Sequence, residues 1–133
     1  FKTITQIKER TMTENAHSEH VELTTTMSPL QKNRTLNDHF RKTAKGGIVS
    51  ISWGIHMLGR AEVDTIMKKL GGIEGDRSCG ADSEHDNGEI TVSTRSIYWE
   101  INCYNKEFDD TSVDSTNPDQ TTRLITLILG TEF

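Results

Sequence analysis

The sequence predicts a small α+β domain: a three-stranded, antiparallel-type sheet with helices packed on one face. The expected element order is helix, strand, helix, strand, strand, helix. Three observations carry this. Val63, Ile66, Met67 and Leu70 recur at i, i+3, i+4 and i+7, the spacing of an amphipathic helix. Ile97, Trp99, Ile101 and Cys103 alternate with Tyr98, Glu100, Asn102 and Tyr104, the period of a half-buried strand. Asn117, Pro118 and Gln120 form a helix-start signature before the apolar run Leu124–Leu129.

The elements follow in order. Residues 1–34 carry few large apolar side chains and much Thr, Glu, Lys and His, so they are expected to form a mobile polar tail. The domain is expected to span residues 35–133, a sensible size for one unit in a chain of 133 residues. Thr35 is placed as N-cap of the first helix, with Leu36 and Phe40 on one face, and Gly46-Gly47 is placed as its stop. Ile48–Trp53 is β-branched and alternating, hence a strand. The helix through Val63 and Leu70 ends at Gly71-Gly72, and residues 74–88 make a polar loop closed by an Asn87-Gly88 turn. Ile90 and Val92 start a hairpin that turns near Arg95-Ser96 and returns through Ile97–Tyr104. Leu124, Ile125, Leu127, Ile128 and Leu129 cover most of a helical circumference, predicting a central C-terminal helix.

Composition narrows the function classes. No apolar run approaches the roughly 20 residues that span a bilayer, and the region after Phe1 has no signal-peptide pattern. Cys79 and Cys103 are too few for a disulfide framework. Reduced thiols and a cytoplasmic location are the expectation. The net charge of -5 hides a division. Residues 1–73 hold 11 Lys and Arg against 7 Asp and Glu, whereas residues 74–133 hold 4 against 13. An acidic half repels nucleic acid and attracts basic protein surfaces, although a solvated, solubilising face is the commoner use of such an excess.

Several constellations bear on chemistry. Asp82, Glu84, His85 and Asp86 are the densest group of ligand-type side chains, and carboxylates with one imidazole suit a divalent ion. On an extended segment, however, Glu84 and Asp86 point one way and His85 the other, so His56, Asp114 or Asp119 would have to complete a site. The calcium-loop template fails, because Gly88 and Ser93 fall where it requires other spacing and a Glu. The competing reading is that Glu84 and Asp86 cap backbone donors in the turn while His85 packs against the hairpin. His17-Ser-Glu-His20 has metal-ligand spacing, but within the tail. Cys103 with His85 suggests a nucleophile and base, yet Cys103 falls on the apolar face of its strand, which favours an inert thiol. Gly71-Gly72-Ile73-Glu74-Gly75 lacks the residues of a phosphate cradle. Trp53 and Trp99 lack the Arg and Lys interleaving of nucleic-acid readers and are expected as core or half-buried anchors.

A set of short motifs occurs in order: Leu36-Asn-Asp-His-Phe-Arg41, Gly46–Ser52, Gly54-Ile55, Glu84-His85-Asp86, Trp99-x-Ile101 and Thr122-Arg-Leu-Ile-Thr-Leu127. This resembles the bacterial family called domain of unknown function 3768, over about residues 35–133. The family pattern has an E-H-D-F-G loop, a W-K-I-D-Y-Y-D strand, an S-x-D-P loop and a T-R-V-L-T-I-M-L-A-x-E-Y ending. Here Asn87 replaces the loop Phe, and Glu100, Asn102 and Asn105 replace the strand's Lys and two Asp. Cys103 replaces its first Tyr, Ser115-Thr116-Asn117-Pro118 stands for the S-x-D-P loop, and Phe133 replaces the final Tyr. These changes count against a catalytic site built on those Asp residues. The resemblance implies a bacterial setting on chromosomes, plasmids and phages, and no established activity.

The resulting expectation is a non-enzymatic acidic interaction or inhibitor protein, without cofactor, of the anti-CRISPR or anti-restriction kind. Its partner would be a protein with a basic groove, such as a nucleic-acid-guided defence nuclease, with no direct contact to nucleic acid or membrane. Asp82, Glu84, Asp86, Glu89, Asp109, Asp110, Asp114 and Asp119 are the expected partner-binding residues. The alternative is a small metal-dependent hydrolase or nuclease built on Glu84, His85 and Asp86.

Overall fold

In the computed structural model, which describes residues 4–8, 21–72, 84–112 and 114–132, the first helix α1 spans Pro29–Thr43. It starts at Ser28 rather than Thr35. Ser28 Oγ accepts from the Gln31 amide at 3.2 Å while Gln31 Oε1 accepts from the Ser28 amide at 2.9 Å, with Pro29 opening the helix. Thr35 lies mid-helix and donates its hydroxyl to the Gln31 carbonyl. Part of the segment read as tail is therefore helical, and Ile4–Lys8 in that segment forms strand β1.

Strand β2 (Gly47–Ser52) leads directly into a one-turn helix α2 (Trp53–His56), capped by Ser52. Helix α3 (Arg60–Gly71) carries the expected apolar stripe and ends at the expected glycines. Strands β3 (Asn87–Val92) and β4 (Arg95–Tyr104) form the expected hairpin, with the predicted buried face. The turn lies at Ser93-Thr94, with φ of 50° and 66°. Asn87-Gly88 is not a turn: it begins β3, because pairing with Trp99 and Glu100 outweighs local turn preference.

The C-terminal apolar run is strand β5 (Thr122–Leu129), not a helix. The helix-start signature is real but lasts one 3-10 turn, Pro118–Gln120, with Asn117 Oδ1 accepting from the Asp119 amide at 3.0 Å. Beyond it the chain sits between β2 and β4, and hydrogen bonding on both sides decides its conformation. A short apolar run cannot be assigned by periodicity alone, since a central strand and a buried helix look alike.

The sheet order is β1-β2-β5-β4-β3. The β2–β5 pair is parallel and the other three pairs are antiparallel. The α+β class holds, but the sheet is mixed and larger than the expected three antiparallel strands: four strands lie between Gly47 and Leu129, and β1 adds an edge.

Register places the core on one sheet face. Val49, Ile125 and Ile101 form one lateral row, and Ile51, Leu127 and Trp99 the next. These rows pack with Phe40 of α1 and with Ile66 and Leu70 of α3. The following row toward the sheet end is Gly47, Arg123 and Cys103. A Cβ on Gly47 would stand 2.2 Å from the Arg123 carbonyl oxygen and 2.9 Å from Phe40, so only glycine permits this approach of α1, β2 and β5. No helix among the described residues is long and apolar enough to cross a membrane.

Candidate functional site

Arg123 gives the end of the sheet its character. Its strand position directs it to the core face, and it is 5% exposed. The helical period sets Asn33, Asn37 and Arg41 of α1 on one side, and all three are buried. Arg123 Nε donates to Asn37 Oδ1 at 2.7 Å, and Nη2 donates to Asn33 Oδ1 at 3.3 Å and to the Ser115 carbonyl at 3.0 Å. The amide groups of both asparagines then face the loop before β3. Asn33 Nδ2 donates to Glu84 Oε2 and Asn37 Nδ2 to the Glu84 carbonyl, both at 3.0 Å. Glu84 and Arg123 are thus joined through a side chain rather than in direct contact. Burial lowers the Arg123 pKa, against the neighbouring Cys103 and Glu84.

His85 and Asp38 make the second link between loop and helix, with His85 Nδ1 3.0 and 3.2 Å from the two Asp38 oxygens. Asp38 also pairs with Arg41, whose guanidinium donates to the Leu70 carbonyl at 3.4 Å and lies 5.2 Å from the Trp99 ring centroid. His85 has a φ of 58°, so the strand-like alternation expected for Glu84-His85-Asp86 breaks. Glu84 and His85 both turn to α1. The Asp86 carbonyl accepts from the Ile101 amide at 2.6 Å, which anchors the loop to β4.

Cys103 is a half-buried free thiol; burial raises its pKa, opposed by Arg123 and assisted by Glu84 and Asp86. A protonated thiol is a poor nucleophile. Cys79, His17, His20 and Asp82 lie outside the described residues. Among the described residues no three His, Cys, Asp or Glu groups are gathered to hold a metal ion. Trp99 is core, as expected, whereas Trp53 is 52% exposed beside His56.

The carboxylates singled out in the sequence divide. Asp109 and Asp110 lie in the turn after β4, and Asp114 and Asp119 in the turns before β5. Tyr104 pairs with Thr122, so both ends of this connection meet at one end of the sheet. The loop carrying Glu84 and Asp86 enters β3 at that same end. Glu89 stands apart, exposed on β3 opposite Tyr98. Asp109, Asp110, Asp114 and Asp119 are exposed. Asp109 accepts from Asn105 Nδ2 at 2.7 Å, and Asp110 from the Thr111 amide at 2.8 Å. The Thr116 hydroxyl and amide hold the Asp114 carboxyl below its ordinary value.

Beyond the short motifs and the place of Asp38 three residues after Thr35, the sequence suggests no functional role for Asn33, Asn37, Asp38, Arg41 or Arg123. The available signal was a polar series at helical spacing on the face that also carries Leu36 and Phe40, together with one Arg inside an apolar run.

Comparison with known proteins adds one relationship. The family described as "Protein of unknown function (DUF3768)" matches residues 52–132. This stretch runs from the end of β2 to Glu132. No curated protein and no solved structure matches the chain.

Proposed function

The chain belongs to the DUF3768 family, and from that premise we propose that it is a non-enzymatic interaction protein whose acidic sheet end docks on a basic protein surface. The observation that carries this reading is the exposure of Asp109, Asp110, Asp114 and Asp119 in one hydrogen-bonded connection at that end. Turns held by their own carboxylates present charge with little ordering cost on binding. Of Glu84, His85 and Asp86, the residues of the hydrolase alternative, the first two are engaged by α1 instead.

The fitting partner is a groove lined with Lys and Arg, as in the nucleic-acid channel of a guided or restriction-type nuclease. Occupying such a groove would inhibit in the anti-CRISPR or anti-restriction manner. Association of this kind is fast and weakened by salt.

The test is binding to a purified nucleic-acid-guided nuclease at about 50 and 300 mM salt, spanning a roughly twofold change in Debye length. Asp109→Lys with Asp110→Lys should weaken binding and flatten its salt dependence while the melting curve stays close to the parent's. Equal affinity of parent and double variant at low salt overturns the docking role of this loop. A tightly held divalent ion that disappears in His85→Ala would favour the hydrolase reading instead.

A further inference from the structure

Behind the acidic connection lies a cavity of about 290 Å³ with the opposite chemistry. Arg123, Lys45, Lys106, His39 and Asp119 supply its polar lining. Leu36, Phe40 and Pro118 supply apolar walls. Arg123 is the decisive member: a guanidinium 5% exposed, bonded only to neutral oxygens. Its Nε and Nη2 are engaged, and Nη1 donates to no described residue. A buried cation without a touching carboxylate is costly, and an arriving anion recovers that cost. The planar fork suits a carboxylate or phosphate.

We propose that this cavity binds a small organic oxyanion, a carboxylate or phosphate monoester carrying a short apolar or aromatic body. The anionic group lies against Arg123 and Lys106, and the body lies along Leu36 and Phe40. The volume sits at the lower edge of that of small-molecule sites, which restricts the ligand to a compact one. This inference is independent of the docking role proposed for the exposed carboxylates, and Asp119 borders both surfaces.

The experiment titrates the full ¹⁵N-labelled chain with phenyl phosphate, benzoate and, as a neutral control, benzyl alcohol. The expected result is saturable amide shifts at Gly46, Lys106, Asp119 and Thr121 with at least one anion and none with the alcohol. The tighter anion identifies the headgroup. Arg123 variants risk unfolding, so the discriminating variants are Lys106→Glu and Asp119→Asn. The first should weaken binding by about tenfold or more, the loss of one charge-assisted contact, and the second should tighten it. The proposal is overturned if neither anion saturates by about 10 mM, a Kd beyond which specific recognition is negligible. It is equally overturned if benzyl alcohol binds as well, or if Lys106→Glu binds as the parent does.

Discussion

Arg123 Nε donates to Asn37 Oδ1 at 2.7 Å, across a sequence separation of 86 residues. Through this contact the central strand and the first helix share one buried polar group. Asn37→Ala removes that acceptor and also the donor to the Glu84 carbonyl. The loss should be about 2–3 kcal/mol, because a buried charged donor is left short of a partner. Urea unfolding checks it; a change under about 0.5 kcal/mol would make the contact energetically idle.

Leu127 and Ile128 separate a strand from a helix by mutation. Leu127 is fully buried on the core face, while Ile128 is half-buried on the opposite face. Leu127→Ala should cost about 2–5 kcal/mol and Ile128→Ala clearly less, about 1 kcal/mol. Thermal melts of the two variants decide; comparable large losses would favour a wrapped, helical burial of both.

The hairpin turn stores removable strain. Ser93 and Thr94 both have positive φ, as a type I′ turn requires, and Thr94 is β-branched. Ser93→Asn with Thr94→Gly should raise stability by about 1 kcal/mol or more without altering the pairing of β3 and β4. A lowered melting temperature would contradict this account.

Glu132 pins the end of β5 to the start of α2. Its carboxylate accepts from the Ser52 hydroxyl, the Leu129 amide at 2.8 Å and the Gly54 amide at 3.0 Å. A Cβ at Gly54 would fall 2.6 Å from Glu132 Oε2, so a larger residue there has to push the carboxylate aside. Burial pushes the carboxyl up, but the three hydrogen bonds together hold it below its ordinary 4.5. A lowered folded-state pKa contributes stability above the unfolded value, and that contribution disappears as pH falls through the folded one. Glu132→Gln should therefore melt earlier than the parent near neutral pH, with the gap narrowing below 4.5. A gap that stays constant from neutral to acid pH would show that the charge is not what holds this contact.

Local chemistry in the sequence was enough for α3 and for the inward face of β4. The stripe from Val63 to Leu70 and the alternation from Ile97 to Cys103 each have one period, and burial follows period directly. It was also enough for family membership, since short motifs survive in order. It placed Asp109, Asp110, Asp114 and Asp119 in turns, because charged runs without apolar periodicity have no core to join, whereas Glu89 lies on β3.

Tertiary structure alone decided the rest. The apolar residues Leu124, Ile125, Leu127, Ile128 and Leu129 of β5 suit either a buried helix or a central strand; backbone pairing with β2 and β4 chooses the strand. Register then puts Arg123 on the core face, and Asn33 and Asn37 meet it only because α1 crosses that end of the sheet. Arginine and two asparagines separated by 86 and 90 residues carry no mutual signal along the chain. A buried polar cluster is specified by which groups satisfy one another in space, and that is a property of the folded sheet rather than of any local run of residues.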